Sequence, residues 1–154
     1  MHIGALLPVE GVHLRGGVTS KRQALHAVAD AAAHAYGLDA QAVYDALNER
    51  EALGSTALGA GVAVPHARIP GLQGVSAVFL RLDQPVPFGA LDERPVDLLL
   101  GLFAAPEDGA GHLRALAAAS RALRAPELRE ELRRAENPDA VLALLLRQSE
   151  AEAA

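Results

Sequence analysis

Apolar and polar positions alternate along this chain in two different periods, and the switch between them divides it into blocks. Residues 12–14 (VHL) predict a short first strand. Ser20, with Gln23 three positions on, forms a capping-box pattern that opens a helix. Leu25, Val28 and Ala32, with Ala29 beside them, continue that helix as an apolar stripe, and Gly37 is placed to stop it. Asp39 starts a second helix, with Leu38 and Val43 at the spacing of a hydrophobic staple. Val43, Ala46, Leu47 and Arg50 carry it to Gly54.

Beyond Gly54 the period shortens. Residues 62–64 (VAV) read as a short buried strand, and residues 75–82 (VSAVFLRL) and 96–104 (VDLLLGLFA) as stronger ones. The segment DQPVPFGALDERP between the last two carries three prolines and reads as a loop. From Asp108 onward the pattern is helical, with Leu113, Leu116, Ala117, Ser120 and Leu123 sharing one face. Pro126 and Pro138 each suit a first helical position, and Asn137 suits a cap. The predicted order is β-α-α-β-β-β-α-α-α over one domain, residues 1–154. Its class is α/β, a small mixed sheet between two helical layers in a three-layer α/β/α sandwich. The Ala/Glu tail after Gln148 is expected to fray.

Composition narrows the function. Of 154 residues, 51% are apolar and 21% charged, which are values of a globular chain. The net charge of −5 argues against a generic nucleic-acid binder, which should be basic. The absence of cysteine excludes disulfides and thiolate chemistry. The opening MHIGALLPVEG has no charged leader followed by a long apolar run, so no signal peptide is expected. No stretch reaches the roughly 18 apolar residues of a membrane span. A cytoplasmic protein without direct membrane insertion is the expectation.

The chemistry concentrates on histidine. Six are present. His26 and His34, eight apart on a helix, are too far from one another to chelate one ion, given a rise of about 1.5 Å per residue. His66 differs, because STALGAGVAVPH places it after a glycine-rich turn, a short apolar run and a proline that limits its direction. His112 opens a helix, where free amides and the dipole favour an anion. Arg50 ends the second helix, and Ser55 and Thr56 occupy the turn after it.

Together these residues suit a phosphate. A neutral imidazole nitrogen can take a phosphoryl group directly, while arginine and amide donors stabilise the oxygens during transfer. Two histidines and an aspartate are a rival set for zinc, but neither H-E-x-x-H nor a closely spaced cluster is present, so no metal is expected. G-x-S-x-G, a Walker sequence and a G-x-G-x-x-G junction are also missing. The phosphate would then have to come from another protein, with no cofactor.

Arg50-Glu51, Gly54-Ser55-Thr56, Gly59, Gly61 and Val62-Ala63-Val64-Pro65-His66 resemble the signature of the fructose/mannitol-type enzyme IIA domains of the bacterial phosphotransferase system. Within that family the chain is most similar to the nitrogen-regulatory branch, enzyme IIA-Ntr. The resemblance runs over roughly residues 5–147 and includes the histidine-leucine pair His112-Leu113 opening a helix. It implies His66 as the phosphorylated residue, His112 and Arg50 as its phosphate-contacting partners, and Ser55 or Thr56 as shaping the pocket. It also implies the three-layer fold and a phosphohistidine carrier, HPr or its nitrogen-branch counterpart NPr, as donor. Ala67 and Ala57 stand where the family often has glycine. The resemblance leaves three readings open. The first is a regulator acting on sensor-kinase or potassium-transport components. The second is a sugar-transport subunit passing phosphate to an enzyme IIB. The third is an interaction module without phosphotransfer.

Overall fold

In the computed structural model the backbone is described for residues 1–153 and the side chains through Gln148. Two single 3-10 turns, Ile3–Leu6 and Val9–Gly11, lead into β1 (Val12–Arg15). Then come α1 (Lys21–Tyr36), α2 (Ala40–Ala52), β2 (Ala57–Gly59), β3 (Val62–Ala63), β4 (His66–Arg68), β5 (Val75–Val86) and β6 (Val96–Ala104). The chain closes with α3 (Gly109–Leu123), α4 (Pro126–Arg134) and α5 (Pro138–Ala153).

The six-stranded sheet runs β1-β5-β6-β3-β2, with β4 also paired to β6. The β5–β6 and β2–β3 pairs are antiparallel, and β1–β5, β3–β6 and β4–β6 are parallel. The expected three-layer α/β/α sandwich with a mixed sheet is therefore the observed one. One apolar cluster joins α1 and α2 to one face through Val78, Leu80, Leu99 and Phe103. The other joins α3, α4 and α5 to the opposite face through Phe79, Leu98, Leu100 and Leu102. Successive residues of β5 and β6 point to opposite faces, so a strand covered on both sides must be apolar at nearly every position. That is why VDLLLGLFA shows no polar alternation.

The element order gains two strands. β2 and β4 are short and lie beside the predicted 62–64 strand. β3 and β4 are successive parts of one path along β6, Val62 and Ala63 facing Leu98 and Leu99, His66 to Arg68 facing Leu102 to Ala104. The ladder is interrupted at Val64-Pro65, because proline has no amide to give β6, although Pro65 O still accepts from Leu102 N–H at 3.0 Å, and Val64 N–H, on the other edge, donates to Thr56 O at 3.0 Å. Two residues, Ala60 (φ 56°) and Gly61 (φ 79°), turn the β2–β3 hairpin, both in the left-handed conformation that such tight turns require. The segment read as loop after Leu82 also continues as strand to Val86, which pairs with Val96. Pro85 is tolerated there because β1 pairs β5 only as far as Leu82, so one side is an edge.

Other departures are local. Ser20 does accept from Gln23 N–H (3.1 Å), but the Gln23 side chain accepts from Thr19 N–H (2.7 Å) and Thr19 Oγ1 (2.9 Å), so the reciprocal arm of the box sits one residue upstream. On α3 the buried face is His112, Ala115, Ala118, Ala119, Ala122 and Leu123, not the leucine stripe expected from sequence. Alanines let α3 lie close on the sheet, and the larger Leu113 is turned outward. Gly37 (φ 68°) ends α1, and Asn137 caps α5 by accepting from Ala140 N–H at 2.8 Å, both as expected. The tail expected to fray continues the α5 backbone through Ala153, and its side chains lie outside the described residues.

Candidate active site

His66 opens β4 directly after the strand break, and the break orients its ring. Nδ1 lies 2.9 Å from Val64 O, and Nε2 lies 3.2 Å from Arg50 Nε. A carbonyl can only accept and a guanidinium can only donate. Nδ1 therefore carries the proton, and the free lone pair is on Nε2. Burial, helped by the Arg50 charge, holds the His66 pKa below the ordinary value of 6.5, against opposing effects of the Val64 hydrogen bond and Glu51. A neutral ring near pH 7 follows.

Arg50 comes from the last turn of α2. It donates through Nη1 to Gly54 O at 2.8 Å, which anchors the guanidinium while its Nε faces the imidazole. His112, on the first turn of α3, meets His66 edge to face with ring centroids 5.2 Å apart. It is only 7% exposed, and its buried Nδ1 has no hydrogen-bond partner. Burial, followed by the neighbouring His66 and Arg68, lowers its pKa, with Asp108 opposing. The sheet and the α2 and α3 termini thus bring together three residues that are 62 positions apart in sequence at the extremes, Arg50 to His112.

These side chains line an open cleft of about 420 Å3, with Glu49, Leu53, Arg68, Leu113 and Leu116 around them. A recess of about 200 Å3 continues past Arg50 and His66 to Ser55, Thr56 and Leu58. Ser55 and Thr56 are beside the site as expected, but their hydroxyl protons are committed elsewhere. Ser55 Oγ donates to Phe88 O at 2.6 Å and accepts from Ala57 N–H at 3.1 Å. Thr56 donates through both N–H and Oγ1 to the Glu51 carboxylate. They brace the turn rather than face the cleft, because polar groups this enclosed must be hydrogen-bonded.

Sequence reasoning missed Arg68 and the apolar rim. Arg68 is two residues after His66 on one strand and so points to the same side. It lines the cleft and has no hydrogen bond or ion pair among the described residues. The H-x-R spacing on a strand was the available signal. Leu53 and Leu113, 84% and 69% exposed, flank the cleft. Among the described residues no group of three His, Cys, Asp or Glu could hold a metal ion, and no helix is long and apolar enough to cross a membrane.

Residues 5–148 match the phosphoenolpyruvate-dependent sugar phosphotransferase system, EIIA 2 family. The chain belongs to that family. Among its relatives, a nitrogen regulatory protein of Bradyrhizobium diazoefficiens is 42% identical over 128 residues, covering 83% of this chain and 84% of the relative. A PTS system fructose-specific EIIA component of Haloferax volcanii is 32% identical over 140 residues, covering 90% and 91%. The crystal structure of the nitrogen regulatory protein IIA-Ntr from Neisseria meningitidis superposes with a TM-score of 0.84 at 31% identity, covering 93% of this chain and 98% of that one. This EIIA protein is thus closely related to the nitrogen regulatory proteins, and its mixed sheet with helices on both faces is the fold of the IIA structures.

Proposed function

We propose that this protein is a phosphohistidine phosphocarrier that accepts a phosphoryl group on His66 Nε2 from a phosphohistidine carrier, HPr or NPr. The observation that carries this is the fixed tautomer. Val64 O holds the Nδ1 proton, so the nucleophilic lone pair faces Arg50 and the cleft. In the transfer, Nε2 bonds to phosphorus as the donor's P–N bond breaks, and that bond's electron pair stays on the donor ring nitrogen. Arg50 offers positive charge, and Arg50 and the His112 ring offer hydrogen-bond donors, to the phosphoryl oxygens as their charge redistributes. Ser55 and Thr56 support the site by holding its turn. The exposed Leu53 and Leu113 supply an apolar rim for the carrier's surface.

The protein would receive and hold one phosphate per cycle in the cytoplasm rather than turn over a free substrate. The similarity to nitrogen regulatory proteins favours a regulator whose phosphorylation state alters binding to target proteins such as sensor-kinase or potassium-transport components. A second reading, a sugar-transport subunit passing phosphate to an enzyme IIB, is favoured by the similarity to a fructose-specific EIIA component.

Incubation with enzyme I, HPr or NPr and phosphoenolpyruvate should add one acid-labile phosphate. His66→Ala should abolish labelling, and His112→Ala should retain it at a reduced rate. Labelling that persists in His66→Ala would overturn the assignment. Phosphoryl release to a purified enzyme IIB would favour the transport reading, and its absence together with phosphorylation-dependent target binding would favour regulation.

A further inference from the structure

Glu51 is a carboxylate with only 8% exposure, directly after Arg50 and one turn of chain before the glycine-rich segment. Lys21 Nζ, from the start of α1, pairs with it at 2.9 Å and also donates to Phe88 O at 3.3 Å. Thr56 N–H lies 3.2 Å from each carboxylate oxygen, and Thr56 Oγ1 donates to one of them. From Thr56 the path continues to the reacting ring. Val64 N–H donates to Thr56 O at 3.0 Å, and His66 Nδ1–H donates to Val64 O at 2.9 Å. On its helical side, Glu51 O accepts from Gly54 N–H at 3.1 Å, and Gly54 O is the anchor of Arg50 Nη1. The carboxylate thus reaches the His66 ring through Thr56 and Val64, whereas the Arg50 arm is held by main-chain carbonyls.

We propose that Glu51, balanced by Lys21, is the positioning residue of the phosphoryl acceptor, setting the direction of the His66 ring through Thr56 and Val64 and stabilising the ring's positive charge after transfer. The proposal rests on His66 being the acceptor. When Nε2 bonds to phosphorus while Nδ1 keeps its proton, the imidazole ring becomes cationic. A nearby buried carboxylate favours that state. Stability alone is a weak reason for the pair, since an ion pair withdrawn from water contributes little net stabilisation over an uncharged replacement. The other charged or titratable groups facing the ring are Arg50 and Glu49 from α2, Arg68 from β4 and His112 from α3, with Asp108 at the α3 cap. Of these the acidic groups line the cleft or sit at the helix cap, whereas Glu51 is buried and linked to the ring's Nδ1 through Thr56 and Val64.

The test compares Glu51→Gln and Lys21→Met with wild type by nitrogen-15 NMR titration of the His66 ring and by the rate of phosphoryl acceptance from phosphorylated HPr. Glu51 raises the basicity of His66, so Glu51→Gln should lower its titration midpoint. Lys21→Met leaves the carboxylate uncompensated and should raise it. Acceptance by Glu51→Gln should slow about 10- to 100-fold, the scale of a small misplacement of reacting groups, with donor half-saturation little changed. Two midpoints that move in the same direction, or do not move, would reduce Glu51 to a structural brace and overturn the proposal. If Glu51→Gln does not fold, Lys21→Met decides: an upward midpoint supports the proposal and an unchanged one refutes it. Failure of wild type to take phosphate would refute the acceptor reading instead, while the ring titrations still judge the positioning network.

Discussion

Replacing Arg50 by alanine separates three effects that the structure assigns to one side chain. Its Nε contacts His66 Nε2, the proposed nucleophile, and its Nη1 the Gly54 carbonyl. Once phosphorus occupies Nε2, the guanidinium is placed to bond phosphoryl oxygen instead. A hydrogen bond to a charged group contributes about 1.5–3 kcal/mol, which corresponds to roughly 10- to 150-fold in rate. Arg50 also lowers the His66 pKa, so its removal moves the acid limb of the rate profile to higher pH. At about pH 8 the ring is neutral in both proteins, given a reference histidine pKa of about 6.5, and the rate ratio there isolates the transition-state contribution. Nearer pH 6 the variant should fall further behind as its ring protonates.

The third effect is on stability. Losing the bond to Gly54 O, a neutral acceptor at the α2 terminus, should cost about 0.5–1.5 kcal/mol in urea unfolding. Arg50→Lys should be intermediate, because a compact ammonium cannot span both acceptors as the planar guanidinium does. The assay is single-turnover transfer of radiolabelled phosphate from phosphorylated HPr, quenched at alkaline pH. An Arg50→Ala rate within about twofold of wild type at pH 8, under about 0.5 kcal/mol, would refute the role given to the guanidinium.

The folded-state pKa values of His66 and His112 are both depressed. Below about pH 6.5 the unfolded chain therefore takes up protons that the native state does not, and stability falls as pH descends through the window down to the folded values. Urea midpoints measured across this range should decline less steeply in His66→Ala than in wild type. In the core, a Cβ at Gly101 would lie 2.8 Å from Val28 Cγ1 and 2.9 Å from Val78 Cγ2. Both valines are fully buried and neither methyl can swing to solvent. Gly101→Ala should thus destabilise by about 1–3 kcal/mol, and an unchanged urea midpoint would show that α1 can move off β6.

How much of the fold could be read from sequence depended on how many contacts fixed each element. β5 and β6 were legible because burial on both faces forces continuous apolar runs. The caps at Ser20 and Asn137 were legible because they depend on neighbours within a turn. β2 and β4 were not, since three-residue strands carry no period; β2 exists only beside β3, and β4 only beside β6. The phase of α3 was misread for a related reason. Leucine dominates any hydrophobic pattern, but the sheet accepts the helix largely on its alanines, and Leu113 and Leu116 line the cleft.

The site followed the same rule in a sharper form. His66 stood out because a proline and three glycines constrain its backbone locally, and the constraint is written in consecutive residues. Its tautomer was not legible. It depends on the fold bringing the Val64 carbonyl to one ring nitrogen and the Arg50 guanidinium to the other. Ser55 and Thr56 show the converse. Their residue types suit an anion, but the fold places the Glu51 carboxylate and the Phe88 carbonyl nearer. Glu51 was visible only as part of a motif, with no chemistry of its own, until Lys21, 30 residues earlier, closed on it. A charged residue's role is set by which opposite charge the tertiary fold delivers to it. Sequence therefore indicated the proposed nucleophile more securely than the groups proposed to aim it.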